Sequence, residues 1–470
     1  MSYAQTTQST SAPQQQPREP IRPLPAQTAA AIVAEVLVPL IARGLIIRRR
    51  RVVGVLARLD ADRRATSLLR RVRAAHGPGP VLLKLPRRRL ALVLTSADAR
   101  SVLDATPDPF TPATLEKRAA LSRFEPHGVL ISPAQLRPPR RAFNEQALET
   151  GHPVHSFGAA LAARIDSEVD GMVRRADAGG ELSWSEFQRT FNRVVRGVVL
   201  GDAAAGDEEL SEQLDALRGD ANWGYLLPRR RLLRERFRRR LSNYLEHPDP
   251  GALSGHIAHG QDGSSAVQQA VEQVPQWLFA FDAAGIASFA TLALLATHDA
   301  ERRTARAEVA EGARETTEAP TELPFMRACV LETLRLWPTT PAILRDTTSE
   351  TAWPSGQLPR LSGVLIFAPL LHREPELQPD PDSFSPARWL DGGGVQEAPD
   401  MALMPFSGGP GRCPGRELVL LVTSQLLAGV LARSEPELTG RLAGRLQPGR
   451  PLPGTLDHFQ LQLRLRPTGS

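Results

Sequence analysis

The sequence predicts a mainly α-helical protein with a small β region. Much of the chain places apolar residues three and four positions apart, which is the spacing of one face of a helix. Two stretches, 271–297 and 417–432, are long and mostly apolar, as the central helices of a large domain are. The predicted strands are few and short, at 81–86, 90–95 and 459–465.

The N-terminal region is predicted to begin with a tail and an amphipathic helix. Residues 1–27 are rich in Gln, Thr, Ser and Pro, so we expect them to be disordered, and they show no signal peptide. Residues 29–47 are apolar but contain Glu35 and Arg43, and they are short for a membrane span, which needs ~20 apolar residues. They therefore favour an entry helix of the folded domain, with contact to a membrane surface as the alternative.

Further helices are predicted along the rest of the chain from the same periodicity. Residues 251–264 contain glycines and two histidines, and we expect a loop there. His256 and His259 lie three apart, but no further ligand is near them in the sequence, so a metal site is not expected. The predicted helices are 96–105, 136–150, 182–200, 211–217, 230–245 and 321–337.

The composition bounds the classes of function. At 470 residues, length alone suggests about three domains. Two cysteines, Cys329 and Cys413, do not make a disulfide framework, which favours a reducing compartment. The net charge of +6 raises the question of nucleic-acid binding. The basic runs lack a nucleic-acid-binding motif and interleaved aromatic residues, so solvated helix faces are favoured. The runs are 48–51, 229–231 and 238–240.

The helical run 277–297 contains one charged residue, Asp282. Its length would suit a membrane span. A helix at the centre of a large protein is favoured instead, because of Asp282 itself, the Ala, Gly and Ser content, and the absence of partner spans in the sequence.

The segment 404–416 is the centre of the functional prediction. It is rich in glycine, holds Cys413, and is followed at once by the helical run 417–432. Glycines let the backbone turn tightly, so that several N–H groups can aim at one sulfur, and the positive end of the helix faces the same atom. A thiolate so placed can be the axial ligand of a haem iron. Taken alone, the pattern also fits a buried structural cysteine beside a glycine loop.

Four residues of this segment, running into an apolar helix, resemble the haem-binding signature of the cytochrome P450 family. One position departs from the family pattern. The family usually has an arginine two residues before the cysteine, where it pairs with a haem propionate; Gly411 stands there, and the arginine is Arg412. The four matching residues are Phe406, Gly409, Cys413 and Gly415.

Two further motifs resemble the family and occur in the expected order. Glu332 and Arg335 lie three apart on a predicted helix, where a solvated surface pair is the ordinary interpretation. Residues 384–388 resemble the Phe-x-Pro-x-Arg segment of the family and end in Arg388. The resemblance implies that the glutamate and both arginines form one buried ionic cluster, which would hold the cysteine loop in place.

The resemblance covers roughly residues 30–465 and is strongest from residue 277 onward. It implies one large haem domain over residues 28–470, with haem b as cofactor and a thiolate as its axial ligand. The family arginines that bind propionates correspond to Arg345 and to Arg140 or Arg141. The implied cofactor-binding residues are Cys413, Phe406, Gly409, Gly411, Arg412, Arg345 and Arg140.

The resemblance also implies catalytic and substrate-binding positions. Asp282 fills the acid position of the segment that the family places beside bound dioxygen, and Ala283 replaces its hydroxyl residue. We expect Asp282 to deliver protons, with water or a substrate hydroxyl bridging the gap at Ala283. The implied substrate contacts are Phe124, Phe281, Thr340, Ala342, Ile343, Thr455 and Leu456.

As a function, the resemblance implies a soluble, cytoplasmic monooxygenase that inserts oxygen into a small hydrophobic substrate, in secondary metabolism. A ferredoxin or a flavin-type protein would supply electrons, and neither nucleic acid nor a transmembrane span is expected. Two alternatives among enzymes are a peroxide-driven oxygenase and a haem-thiolate isomerase or dehydratase. The alternative outside enzymes is a basic helical adaptor that binds nucleic acid or a membrane surface without haem.

Overall fold

The computed structural model describes residues 19–224, 227–260, 263–315, 320–391, 394–395 and 403–468. Most of these residues lie in α-helices, and a π-helical turn, Val33–Leu37, joins the first two. The helices are α1 (Ala26–Ile32), α2 (Val38–Ala42), α3 (Arg50–Arg58), α4 (Ala61–His76), α5 (Ser96–Asp104), α6 (Leu115–Leu121), α7 (Arg137–Ala147), α8 (Gly158–Gly179), α9 (Trp184–Leu200), α10 (Asp202–Ala205), α11 (Glu208–Ala221), α12 (Arg231–Glu246), α13 (Leu253–Gly260), α14 (Gly263–Leu295), α15 (Asp299–Glu315), α16 (Pro324–Leu336), α17 (Ala368–His372) and α18 (Arg416–Arg433).

The β region is small, as the sequence predicts. Its largest sheet has the strand order β1-β2-β8-β5-β3, in which β2 and β8 are parallel and the other neighbours are antiparallel. A second sheet has the order β11-β12-β4, and β6–β7 and β9–β10 are hairpin pairs. The strands are β1 (Val81–Leu85), β2 (Arg88–Val93), β3 (Phe110–Thr111), β4 (Leu182–Ser183), β5 (Ala342–Thr347), β6 (Thr351–Trp353), β7 (Gly356–Leu358), β8 (Gly363–Phe367), β9 (Leu390–Asp391), β10 (Gly394–Val395), β11 (Ser434–Thr439) and β12 (Gln462–Pro467).

Two apolar clusters form the core, and the cysteine loop lies where they meet. The larger cluster packs α8, α9, α14, α16 and α18 together, and the smaller one packs the five-stranded sheet against α1, α4 and α5. Met404 belongs to the smaller cluster, whereas Phe406, two residues later, packs against the larger one. The loop is therefore held from both sides.

Helix starts follow from capping residues. Oγ1 of Thr95 accepts the N–H of Asp98 at 3.1 Å, which caps α5. Ser183 and Glu186 form a capping box at the start of α9. Because of this cap, α9 begins at Trp184, two residues later than the predicted helix 182–200. Residues 182 and 183 form β4 instead.

Several expectations need correction. The predicted loop 251–264 is wrong, because α13 occupies most of it and α14 already begins at Gly263. The periodicity also fails to predict α3, α4, α8 and α15. Their faces are rich in arginine, which interrupts the apolar period in the sequence. In the folded protein the long arginine stems can still cover apolar surface.

The predicted disordered tail does not hold for residues 19–27. Backbone bonds of 2.9 to 3.0 Å join Glu19 and Ile21 to β7 and Leu24 to β1. Residues 1–18 lie outside the described part of the chain.

Among the described residues, one helical stretch, Val267–Leu295, is long and apolar enough to cross a membrane. Its most apolar window has a mean hydropathy of 1.9, and 72% of that window is buried inside the protein. Burial on this scale is what the central helix of a large domain requires.

Candidate functional site

Cys413 lies at the N-terminal end of α18. Its backbone N–H donates to the carbonyl of Phe406 at 2.9 Å, which closes the loop, and Gly415 precedes the first residue of the helix. Burial raises the pKa of the Cys413 thiol, whereas a hydrogen bond from the backbone N–H of Gly415 and the nearby arginines lower it. A bound metal cation would tip this balance toward the thiolate, so the donor fits an iron ligand.

Two glycines shape this loop by close approach. Gly409 has a φ of +57°, and a Cβ there would lie 2.2 Å from the carbonyl oxygen of Leu103 at the end of α5. A Cβ on Gly411 would lie 2.9 Å from Nη2 of Arg345 and 3.0 Å from Cγ2 of Thr106. The space beside Gly411, where a side chain at this position would lie, is therefore filled by the side chain of Arg345.

Three cations gather beside this loop. Arg345 donates to Oγ1 of Thr106 at 3.1 Å, and Lys117 donates to the carbonyl of Leu344 at 3.0 Å. Burial and, to a smaller extent, the charge of Arg137 together lower the pKa of Arg345 to about 10. Burial also lowers the pKa of Lys117 well below its ordinary value, with Arg345 adding to the effect.

These cations lack negative partners of their own. No described carboxylate forms a salt bridge with Arg345, Arg137 or Lys117, and Asp346, an acid whose charge acts on Lys117, is engaged by Arg88. Buried charges persist when they are paired, so this group requires an anion. The two propionates of haem meet that need, and the site therefore fits the cofactor.

The other arginines that we expected near the propionates have different partners. Arg140 donates to Oγ of Ser132 at 2.8 Å. Arg141 donates to the carbonyl of Arg412 at 2.7 Å and to Glu145 at 2.6 Å. It is Arg137, three residues before Arg140, whose charge acts on the buried Arg345.

Glu332 lies at the centre of an ionic cluster in which it and Arg335 are fully buried and Arg388 is mostly buried. Arg335 donates to both of its carboxylate oxygens, at 2.8 and 2.9 Å, and Arg388 donates to one of them at 3.1 Å. The N–H of Ser385 and the indole N–H of Trp389 complete the set at 3.0 and 2.9 Å. Every lone pair that points into the cluster is thus used, which is the condition under which buried ions are stable.

His372 links this cluster to the cysteine loop. Arg335 donates to the carbonyl of His372 at 3.0 Å, and Nε2 of the same histidine accepts the N–H of Met404 at 3.0 Å. The carbonyl of Met404 in turn accepts the N–H of Ser407 at 3.0 Å. A continuous series of hydrogen bonds therefore joins the cluster to the loop that carries Cys413.

Asp282 faces α11 and is held by an arginine. Its carboxylate accepts from Nη2 of Arg218, whose Nη1 donates to Asp215 at 2.8 Å. These groups line a cavity of about 20 Å³, enough for one water molecule. Ala283 offers no hydroxyl, and the nearest one on α14, that of Ser288, donates to the helix carbonyl of Ala284 at 2.9 Å.

A second cavity, of about 70 Å³, lies between α14, the turn after α16 and the turn before β12. Both Thr455 and Leu456, which we expected near substrate, line it. The guanidinium of Arg48 donates to the carbonyls of Gly44, at 2.6 Å, and of Thr339.

This cavity has an apolar wall and two polar groups with unused capacity. Arg48 forms no salt bridge with a described carboxylate, because Asp62 is engaged by Arg43 at 2.5 Å. Nε2 of the buried His458 has no hydrogen-bond partner among the described residues. The apolar wall comes from Val53, Leu56, Ile286, Ala287, Ala290 and Leu456.

The remaining expected substrate contacts lie in three separate parts of the chain. Phe124 packs edge to face against Phe279 at 5.5 Å between ring centroids, whereas Phe281 is buried in the core. Thr340 is exposed, while Ala342 and Ile343 begin β5, and Ile343 is buried in the sheet cluster.

The sequence does not predict a functional role for Lys117, Arg137, Arg218, Arg48 or His458. The signal in the sequence was weak, because each residue gains its role from a partner distant in the chain. Arg137 and Lys117 come from segments where the resemblance is weakest. The charge of the arginine run 48–51 predicts a solvated face.

Comparison with known proteins agrees with this geometry. The family model described as Cytochrome P450 matches residues 272–441. Cyclooctat-9-en-7-ol 5-monooxygenase of Streptomyces melanosporofaciens is 30% identical over 231 residues, which is 48% of this chain and 47% of that protein. Cytochrome P450 4A6 of Oryctolagus cuniculus is 32% identical over 146 residues, 30% of this chain and 28% of that protein. The aligned segments span less than half the length of either relative.

Solved structures match over a longer part of the chain. The retinoic-acid-bound cyanobacterial CYP120A1 superposes with a TM-score of 0.68 at 17% identity, covering 85% of this chain and 94% of that one. The cytochrome P450 CYP102L1 superposes with a TM-score of 0.66 at 19% identity, covering 86% and 94%. At this level of identity the likeness concerns the fold.

Proposed function

Since the chain belongs to the cytochrome P450 family, we propose that it is a haem-thiolate monooxygenase that inserts oxygen into a small hydrophobic molecule. The observation that carries this proposal is the pairing of Cys413 at a helix N-terminus with a group of three cations, the half-buried Lys117 and the buried Arg137 and Arg345. Their chemistry matches the two ends of one ligand, an iron that takes a thiolate and a porphyrin edge that carries carboxylates. The alternative of a basic adaptor without haem leaves this group of cations without a role.

Each residue has a specific part in holding the cofactor. Cys413 would ligate the iron, and the three cations would neutralise the propionates. When bound, the haem supplies the oxygen-activating chemistry, to which the thiolate donates electron density. Gly409 and Gly411 let the loop lie close to α5 and to Arg345.

Proton delivery is assigned to Asp282. Its ion pair with Arg218 keeps the carboxylate oriented, and the neighbouring cavity has room for a water molecule that can carry a proton. Because Ala283 has no hydroxyl, water or a hydroxyl of the substrate must complete the path. Turnover by this route therefore depends on the substrate.

We further propose that the substrate is apolar and carries one oxygen-bearing head group. The cavity beside Thr455 holds about 70 Å³, which suits a head group and not a whole ligand. Arg48 and His458 both have hydrogen-bonding capacity to spare there, so a carboxylate or another strong acceptor is favoured. A role in secondary metabolism rests on the likeness to the Streptomyces enzyme over half of the chain.

A matched ligand series tests this substrate class. Compounds with one hydrocarbon skeleton and either a carboxylate, a hydroxyl or no polar group are compared by their effect on the haem spectrum. The carboxylate should bind most tightly, and Arg48→Leu should remove its advantage while the exposed Arg51→Leu does not. Equal affinity of the three compounds would contradict the proposal.

The electron donor is proposed to be a ferredoxin or flavin-type protein, and the location the cytoplasm. Arg141, Arg412 and Arg416 all act on the Cys413 thiol from nearby, so this side of the loop is basic. An acidic surface of a donor would complement it.

The decisive test of the proposed function is the spectrum of the purified protein. The reduced carbon-monoxide complex should show the long-wavelength band of thiolate ligation, and Cys413→Ser should abolish that band. The matched control is Cys329→Ala, because Cys329 is buried within α16 and should not affect the band. A colourless protein, or a band that survives Cys413→Ser, would overturn the assignment.

A further inference from the structure

Two histidines and a glutamate converge at the junction of α7 and α8. Nδ1 of His155 lies 3.5 Å from Oε2 of Glu149, and Nε2 of His256 lies 3.5 Å from Oε1 of the same carboxylate. One ligand atom from each of the three residues falls within 4.8 Å of the others. Glu149 follows α7, His155 precedes α8, and His256 lies on α13. The residues thus come from three separate segments.

The outer hydrogen bonds orient both rings toward the carboxylate. Nε2 of His155 lies 3.2 Å from the carbonyl of Ala147, an acceptor, so this nitrogen carries the proton and Nδ1 keeps a lone pair. Nδ1 of His256 lies 3.4 Å from Oγ of Ser156, and Nε2, the other nitrogen of this ring, faces Glu149. One ring nitrogen from each histidine and a carboxylate therefore face one another.

This convergence of two imidazole nitrogens and a carboxylate is suited to a cation between its members. The carboxylate is held in place by the backbone N–H of Ser156, which donates to Oε2 at 2.8 Å. The histidines also have the outer partners that metal-bound imidazoles usually have.

We propose that Glu149, His155 and His256 bind one divalent transition-metal ion, with Zn²⁺ as the best chemical match. Zinc bound to imidazole nitrogen and carboxylate oxygen at ~2.0–2.2 Å in a tetrahedron places its ligand atoms about 3.3–3.5 Å apart. The two measured histidine–carboxylate distances are each 3.5 Å, one to each oxygen of Glu149, and one ligand atom from each residue lies within 4.8 Å of the others. Three protein ligands leave the fourth position for water. Ca²⁺ and Mg²⁺ prefer oxygen ligands and fit poorly.

The site lies beside the support of the cysteine loop. Oγ1 of Thr150, next to Glu149, donates to the carbonyl of Pro414 at 2.8 Å. Leu148, on the other side of Glu149, lies next to Gly415. A metal ion that fixes this turn to α13 therefore stabilises the segment against which residues 413–415 rest.

The experiment uses the haem-containing protein without a polyhistidine tag, titrated with Zn²⁺ by calorimetry and with Co²⁺ by visible absorption. One equivalent should bind, and the cobalt complex should show tetrahedral d–d bands without a thiolate charge-transfer band. His256→Gln should weaken binding about tenfold or more, because a ligand is lost. The exposed His152→Gln should leave binding unchanged. Circular dichroism of the metal-free variants checks that both are folded.

Binding of Zn²⁺ that His256→Gln and Glu149→Gln both leave unchanged would overturn the proposal. So would a thiolate band in the cobalt spectrum, which would assign the ion to Cys413, or the absence of binding at micromolar metal. None of these outcomes depends on catalysis, so the result is independent of the proposed monooxygenase activity.

Discussion

Replacing Glu332 by glutamine should greatly lower the free energy of unfolding of the protein, although the two side chains have nearly the same shape. The carboxylate of Glu332 accepts from Arg335, Arg388, Ser385 and Trp389, and no part of it reaches solvent. In the glutamine variant one oxygen becomes an NH₂ group, which is a donor. Whichever oxygen is replaced, the new group faces N–H groups that it cannot accept from.

The size of the effect follows from the bonds that are lost. If the amide nitrogen takes the place of Oε2, the bonds from Nε of Arg335 and Nε1 of Trp389 are both lost. At ~1.5–3 kcal/mol for a hydrogen bond to a charged group, the loss is about 3–6 kcal/mol. The cost of breaking a buried ion pair, ~3–5 kcal/mol, agrees with this range. Against a total stability of ~5–15 kcal/mol, the variant would lose a large share of its free energy of unfolding.

Urea-induced unfolding, followed by far-ultraviolet circular dichroism, measures this difference. The exposed Glu376→Gln is the matched control, since it removes a charge from the surface close to His372 in sequence. The free energy of unfolding should fall by about 4 kcal/mol for Glu332→Gln and by less than ~0.5 kcal/mol for the control. A loss below ~1 kcal/mol, the value of an exposed salt bridge, would refute the reasoning that the cluster supports the fold.

Three further outcomes are expected. Gly409→Ala should destabilise the protein, because the left-handed backbone alone costs ~1–2 kcal/mol and the new Cβ meets a backbone carbonyl at 2.2 Å. Gly415→Ala should be tolerated, since its Cβ would have 3.5 Å of space; equal urea midpoints for the two variants would contradict this. Lys117→Met should weaken haem retention about ten- to a hundredfold in transfer to apomyoglobin, whereas exposed Lys84→Met should not, because a charged hydrogen bond of ~1.5–3 kcal/mol is lost. Asp282→Asn should slow turnover strongly with a surrogate redox system. If hydrogen peroxide alone supported full turnover, and the rate were the same in the Asp282→Asn variant, the peroxide-driven alternative would be favoured.

The parts of the site that sequence analysis anticipated are those encoded by local spacing. The glycines around Cys413 and the three-residue separation of Glu332 and Arg335 are visible in a single stretch, because turn geometry and helix faces depend on near neighbours. The same holds for the helix capped by Thr95. For these elements the structure adds distances and partners.

The parts that the sequence could not supply are set by packing between distant segments. Lys117 and Arg345 are 228 positions apart, and only the sheet strand β5 brings them together. The sequence predicts Asp282 as the proton-delivering acid, with water or a substrate hydroxyl completing the path, but it does not predict the ion pair with Arg218, which comes from α11. The identity of charges is readable in a sequence, but which charges remain unpaired is a property of the folded chain.

The unpaired cations connect the stability of the fold to the cofactor. Because burial and Arg345 lower the pKa of Lys117 well below its ordinary value of 10.5, the folded haem-free protein binds this proton less tightly than the unfolded chain does. The free energy of unfolding of the haem-free protein therefore rises with pH from the lowered pKa up to about 10.5. Bound carboxylates would favour the charged amine and remove this dependence. The charges that would hold the propionates thus lower the free energy of unfolding of the haem-free protein near neutral pH. Haem binding and folding therefore reinforce each other.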